Sequence, residues 1–334
     1  MSIRAVAKHA GVSPATVSRV LNGSGYVSDT VRAKVELAID ELDFRPNFHA
    51  RHLRGIRSRT IALVFTQVTH PFSAEVAYAI EEIAMQQGYF VVLGNTHRDS
   101  NLFDHYLKTF ASYGVEGFVV VPPAITKEVI ASLTSIPIPY VLIDQRIPDL
   151  AVDQVVTDNF AGAYDLTDHL ARIGHRRIAY VGGPPALQKG RDRLAGYEAA
   201  LRDHGMPIEA ALVRTGEETD QQTGLALTAA LLSETRPDVL FAANLDLQIG
   251  ALQAIRLVGL RVPDDLAMAG FDDIPYAAHL APSITVVAQQ TRTLGVIAAQ
   301  LLLDKLSGKR PLSEHETISL RPQLIVRDRS GIRG

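Results

Sequence analysis

Residues 10–22 read Ala10-Gly11-Val12-Ser13-Pro14-Ala15-Thr16-Val17-Ser18-Arg19-Val20-Leu21-Asn22. Their order predicts helix, tight turn, helix. Upstream, Ser2 suits an N-cap, and Ile3, Val6, Ala7 and Ala10 recur at helical spacing. Gly11 reaches left-handed backbone angles without a Cβ clash and so closes the first helix. Ser13 suits the next N-cap and Pro14 the first turn, where a missing N–H loses no bond. Within the second helix Val17, Val20 and Leu21 share one face. Ala15, Ser18, Arg19 and Asn22 share the other, at i, i+3, i+4 and i+7. A small polar face with one arginine suits a helix whose start, Pro14 and Ala15, enters the major groove of DNA. Arg19 can fork onto guanine O6 and N7, while Thr16, Ser18 and Asn22 can bond phosphates. Any amphipathic helix pair shows such a split, so the flanking sequence matters.

Ser28 and Asp29 open a third helix, with Val31, Val35, Ala38, Ile39 and Leu42 as its apolar stripe. Three short helices make the small core that such a DNA-reading head needs. Asn47, after Pro46, can cap a further helix running to Leu53 and ended by Gly55. That helix is well short of the ~12–15 residues at which isolated helices become marginal in water. It would form only when something holds it. Asn47, Ala50, Arg51, Leu53 and Arg54 are its DNA-contact candidates. Leu53 among basic residues fits a minor-groove wedge, and fits equally a basic linker with one incidental leucine.

The charge is unevenly placed. Residues 1–59 carry ten Lys and Arg against five Asp and Glu, a net of +5; the whole chain carries −3, so the rest carries −8. A basic head on an acidic body suits a protein that grips phosphate with one end. There are no cysteines, so disulfides, thiolate chemistry and thiolate metal sites are excluded. No signal peptide and no apolar run of ~18 residues is seen, so a cytoplasmic, nucleoid-associated location with no membrane contact is expected.

From Thr60 onward, apolar runs alternate with helical patterns. Ile61–Phe65, Tyr89–Leu93, Gly117–Val121 and Tyr140–Ile143 read as buried parallel strands. Ser73–Gln87, Asn101–Ser112 and Lys127–Leu133 read as helices between them. A second series follows, with strands at Ile178–Val181, Val239–Ala242 and Leu266–Ala269 and helices near 160–173, 190–204, 220–233 and 246–258. Two open α/β units in tandem imply a cleft, and ligands of such sheets sit beyond the carboxyl ends of the strands.

The pattern Val6-Ala7, Ala10-Gly11-Val12-Ser13, Thr16-Val17-Ser18-Arg19-Val20-Leu21-Asn22-Gly23, then Arg45-Pro46-Asn47, Ala50-Arg51 and Leu53 resembles the lactose-repressor (LacI/GalR) family of bacterial transcription regulators. The resemblance implies an all-α helix-turn-helix head at 1–46, a hinge helix and linker at 47–59, and a two-lobed periplasmic-binding-protein-like body at 60–334. It implies three crossings between lobes, near 159–162, 288–291 and 318–321. The first lobe would hold about 60–160 plus 290–318, the second about 161–289 plus 319–330, each with an open parallel sheet. The partners implied are operator double-stranded DNA, a small polar effector such as a sugar, and a second copy of the chain. The last residues show no heptads, so a homodimer is expected. Neither cofactor nor metal is expected.

The same resemblance nominates effector contacts. Arg193 matches the family's ligand-binding arginine and Asp272 its ligand carboxylate; together they suit adjacent hydroxyls. Asn244 and Gln289 match two further contacts. His70 stands where the family usually has asparagine, Phe72 can stack on a sugar ring, and Asp144 ends a strand. Each also has a structural reading: Asp272 as a turn cap, Arg193 as half of a surface ion pair. Two departures bear on the ligand. The acid after Asn244 is displaced to Asp246, leaving Leu245 to face pocket or core. Thr219 stands where the family's second lobe usually has an aromatic ring.

The leading expectation is a repressor released from a palindromic operator by a sugar-like effector. Its alternative is a corepressor-type regulator answering to a nucleobase, a nucleoside or another metabolite. A transport receptor would share the two lobes but need an export signal and no DNA-reading head. An enzyme is not expected: after the head there is neither G-x-G-x-x-G after a strand nor G-x-x-x-x-G-K-[ST], and His97, His169, His175 and His204 show no helix spacing with carboxylates that suggests a metal.

Overall fold

The computed structural model describes residues 2–22, 25–44, 57–274 and 283–327. The chain divides into two units, 1–58 and 59–334. The residues expected to form the hinge helix, Asn47 to Leu53, lie outside the described residues, as does Arg54.

The first unit holds three helices among its described residues: α1 (Ile3–Ala10), α2 (Pro14–Asn22) and α3 (Asp29–Glu41). Ser2 caps α1, its hydroxyl accepting from the Ala5 N–H at 3.3 Å. Gly11 ends that helix at φ +66°, and its N–H returns to the Ala7 carbonyl. Ser13 Oγ accepts from the Thr16 N–H at 3.1 Å and so starts α2. Ser28 occupies the α3 cap position in extended conformation, without a side-chain capping bond. Val6, Ala7, Val17, Val20, Val35, Ala38 and Phe44 form the core, with Leu21, Ile39 and Leu42 packed against it.

In the second unit, one sheet has the order β11-β5-β4-β3-β1-β2. Its strands are β1 (Thr60–Phe65), β2 (Phe90–Asn95), β3 (Gly117–Val120), β4 (Tyr140–Ile143), β5 (Asp153–Thr157) and β11 (Thr317–Leu320), all parallel. Helices α4 (Pro71–Gln86) and α11 (Thr291–Ser307) cover one face through Val76, Ile80, Leu294, Ala298 and Leu302. Helices α5 (Ser100–Ser112) and α6 (Lys127–Thr134) cover the other through Phe103, Leu107, Val129 and Leu133.

The other sheet has the order β12-β10-β9-β8-β6-β7. Its strands are β6 (Ile178–Gly182), β7 (Val213–Thr215), β8 (Val239–Ala242), β9 (Ala267–Phe271), β10 (Thr285–Ala288) and β12 (Gln323–Ile325). Helices α7 (Asn159–Arg172) and α8 (Gln188–Asp203) pack on one face, α9 (Gln221–Glu234) and α10 (Leu245–Leu257) on the other. Helices α7 and α8 approach closely because residue 196 is glycine: a Cβ there would lie 2.3 Å from the Phe160 carbonyl oxygen.

Both sheets share the order 2-1-3-4-5 through their first five strands, with a switch point beside β1 in one and β6 in the other. The chain leaves the first lobe after β5, returns after β10 and leaves again after β11. Three differences from the sequence expectation follow. Asn159 and Phe160 already belong to α7 of the second lobe. Ser319 and Leu320 still belong to the first lobe, paired with Val156 and Thr157. The second sheet is not wholly parallel, because β12 runs antiparallel to β10. The reason is geometric: β11 ends at the cleft, and only Arg321 and Pro322 separate it from β12. So β12 enters the second sheet at its cleft end and runs away from it. No helix among the described residues is long and apolar enough to cross a membrane.

Candidate functional site

On the head, the periodic split of α2 is realised. Val17 and Val20 are buried, while Pro14, Ala15 and Arg19 are exposed and Ser18 is half-buried. Thr16 Oγ1 is engaged with Ser13 Oγ at 2.9 Å, so its hydroxyl serves the helix start. Arg19 therefore stands on the outward face of α2, together with Pro14 and Ala15.

In the second unit, the carboxyl ends of both sheets line one cleft of about 820 Å³, part of it open to solvent. It collects all seven sequence-nominated residues: His70, Phe72, Asp144, Arg193, Asn244, Asp272 and Gln289. They come from strand ends and from the helices that follow them, which is how open α/β sheets assemble a site from distant positions.

Arg193, on α8, is 5% exposed. Its Nε donates to Asn159 Oδ1 at 2.7 Å and its Nη1 to the Ala243 carbonyl. The guanidinium lies 3.7 Å from the centre of the Phe271 ring. Nη1 stands 3.9 Å from Asp272 Oδ2. This is a buried pair inside the cleft, not a surface ion pair. Asp272 in turn accepts from Gln289 Nε2 at 2.5 Å, and Gln289 Oε1 accepts from Thr157 Oγ1 at 2.5 Å. The chain Thr157–Gln289–Asp272 thus ties the end of β5 to the end of β9.

Asp144 and Asp272 are structural counterparts. Each is the first residue after the fourth strand of its sheet. Each takes a left-handed φ, +65° and +78° respectively. Each donates its N–H to a carbonyl of the fifth strand, Val155 at 3.2 Å and Val287 at 2.8 Å. Aspartate tolerates this conformation better than most residues, and such strain concentrates where side chains are aimed at ligands.

Asn244 caps α10, accepting from the Leu247 N–H at 2.7 Å and donating to the Thr219 carbonyl at 3.2 Å. Leu245 is buried in the protein and does not line the cleft, whereas Asp246 does. His70 caps α4, its Nδ1 accepting from the Phe72 N–H. Thr219 lines the cleft and presents no ring.

The sequence reading missed three lining side chains that matter. Lys189 reaches from the second lobe to Asp144 Oδ2 of the first at 2.7 Å. Arg98, beyond β2, meets Glu218 across the lobes at 3.4 Å. Tyr180 lies among the lining residues although it reads as strand core. The lining cations Arg98, Lys189 and Arg193 balance the lining carboxylates Asp144, Asp246 and Asp272. Among the described residues, no group of three or more His, Asp or Glu is placed to hold a metal ion.

Comparison with known proteins agrees with both halves of this geometry. Residues 2–47 match the model for bacterial regulatory proteins of the lacI family, and residues 167–329 match a periplasmic binding protein-like domain. The chain is 34% identical to the HTH-type transcriptional regulator DegA of Bacillus subtilis (strain 168), covering 96% of each. It is 35% identical to the ribose operon repressor of Halalkalibacterium halodurans, covering 98% of this chain and 96% of that one. Among solved structures it superposes on a lac repressor dimer bound to operator and the anti-inducer ONPF with a TM-score of 0.86, 26% identity and 99% of each chain covered. The helical head and the two-lobed body are therefore those of a ligand-responsive DNA-binding transcription regulator and not of an enzyme: the chain belongs to the lacI family of bacterial regulatory proteins.

Proposed function

We propose that this regulator is a homodimeric repressor, released from a palindromic operator when a neutral sugar or related polyol binds in the cleft. The observation that carries the effector class is the charge balance of the lining, three cations against three carboxylates. Two of those cations already face lining acids, Lys189 with Asp144 and Arg193 with Asp272. A phosphorylated or carboxylated effector would have to compete with these pairs and with Asp246. A ligand with many hydroxyls can donate to the carboxylates and accept from the cations without displacing either, through charge-assisted bonds of fixed geometry. Phe72 supplies an apolar face at the same cleft. The name of the ribose operon repressor from Halalkalibacterium halodurans points the same way.

On the DNA side, Arg19 reads a guanine in each half-site, and Pro14, Ala15, Thr16, Ser18 and Asn22 fix the helix in the groove. One small head reads one half-site, so specificity requires two copies and a symmetric operator. Asn47, Ala50, Arg51, Leu53 and Arg54 extend the contact to the minor groove at the operator centre. The effector shifts operator affinity only through its differential affinity for two lobe arrangements.

Isothermal calorimetry on the full chain tests the effector class. Neutral aldoses and oligosaccharides are expected to bind, with their phosphate esters and free nucleobases far weaker. Tight binding of a nucleobase, and none of any sugar, would replace this reading with the corepressor type.

A further inference from the structure

We infer that the Tyr180 hydroxyl is a further effector-contacting group, one that selects for a ligand hydroxyl at the deep end of the cleft. The inference rests on the cleft being the effector site and names a residue whose role the sequence pattern conceals. Tyr180 is the third residue of β6 and is fully buried. Its ring is held by its neighbours, with the Tyr197 ring centre 5.1 Å away and the Phe241 ring edge-on at 5.3 Å. Yet its hydroxyl has no hydrogen-bond partner among the described residues. Tyr197, packed against it and equally buried, donates its own hydroxyl to the Ile178 carbonyl at 2.7 Å. Two adjacent tyrosines in one core thus differ in whether the hydroxyl is satisfied within the protein.

Glycine at position 182 explains where the hydroxyl goes. Residues 180 and 182 share a face of the strand. A Cβ on residue 182 would lie 2.3 Å from Tyr180 Cε1 and 2.6 Å from Tyr180 Oη. Only a glycine lets the ring lie along β6 toward its carboxyl end, which opens into the cleft beside Gly183 and Arg193. A buried hydroxyl without a partner is destabilising, and phenylalanine would pack the same space without that cost. Such groups persist where a ligand completes them.

Two measurements on the full chain test this. In the first, wild type and Tyr180→Phe are titrated calorimetrically with D-ribose, D-glucose and cellobiose and with their monodeoxy analogues. Any sugar that binds wild type is expected to lose about five- to tenfold in affinity in Tyr180→Phe. One of its deoxy analogues is expected to bind both proteins within twofold. Equal affinity of the parent sugar for both proteins overturns the inference. In the second, ligand-free thermal unfolding of Tyr180→Phe is compared with that of Tyr197→Phe. The inference expects an unchanged or raised midpoint for Tyr180→Phe and a lowered one for Tyr197→Phe. A lowered midpoint in Tyr180→Phe would show that its hydroxyl has a structural partner and overturns the inference. If none of the three sugars binds wild type, the sugar reading fails while this second arm still decides on Tyr180.

Discussion

Lys189 Nζ lies 2.7 Å from Asp144 Oδ2, and this ion pair joins the second lobe to the first across the cleft. Lys189 is the second residue of α8 and Asp144 the first after β4. The Asp144 side chain is only 10% exposed, so the bridge holds a carboxylate that solvent reaches poorly. Removing one partner strands the other. Each of Lys189→Met and Asp144→Asn is expected to destabilise the protein by roughly 1–3 kcal/mol, between exposed and fully buried pairs. The double variant should lose less than the sum, with a coupling of about 0.5–3 kcal/mol. Urea unfolding of the four proteins measures it; additive losses would remove the bridge from the lobe contact.

The Arg193–Asp272 pair predicts a separation of functions. Asp272→Asn keeps a residue that tolerates φ +78° and keeps the Gln289 contact region, but removes the charge. Effector affinity should fall about 10–100-fold, the worth of a hydrogen bond to a charged group. Operator affinity without effector should stay within twofold. Arg193→Ala should lose the response too and also cost stability, since Asn159 and the Ala243 carbonyl lose a donor and Asp272 loses its ion-pair partner. Calorimetry and operator binding on the same samples check both.

Arg19 predicts the converse. Arg19→Ala should weaken specific binding by roughly 1–3 kcal/mol per half-site and relax preference at one base pair in each. Effector binding should not change. An unaltered sequence preference, read by selection from a random duplex library, would take Arg19 out of base recognition.

Much of this was legible in the sequence, for definable reasons. The buried strands β1, β3, β4, β6 and β8 are short apolar runs, and the seven nominated cleft residues follow strands, cap helices, sit at a crossing or, like Phe72 and Arg193, lie early in a helix. What hid was shorter or more uniform. Strands β7 and β12 have three residues each, too few to show a period. Helix α11 buries Leu294, Gly295, Ala298, Ala299, Leu301, Leu302 and Leu303, so it lacks the polar stripe that marks a surface helix. Lys189 reads as a solvated charge because its partner, Asp144, is 45 residues away. Tyr180 reads as ordinary strand core because only the empty place at Gly182 redirects its ring.

Acid stability follows from His169 on α7. Its Nε2 is buried without a partner among the described residues, and burial holds its pKa below the ordinary 6.5, with Asp168 opposing. The folded state therefore binds this proton more weakly than the unfolded chain does. Stability present above about pH 6.5 is lost as pH falls through that value toward the folded pKa. His315 is shifted the same way by burial and by Lys305. The melting temperature should fall between pH 7 and 5, and His169→Gln should flatten part of that slope. A slope identical in the variant would exclude His169 as its source.

Under the proposed function, occupancy of the cleft controls the head. Fluorescence anisotropy of the full chain on a symmetric operator, selected from a random duplex library, tests it most directly when titrated with and without a sugar shown by calorimetry to bind the cleft. Saturating sugar is expected to weaken operator binding by about 5–150-fold, the usual range of allosteric coupling of ~1–3 kcal/mol. No such shift is expected in Asp272→Asn at the same sugar concentration. Operator affinity that is unchanged, or strengthened, with the wild-type cleft saturated would contradict it.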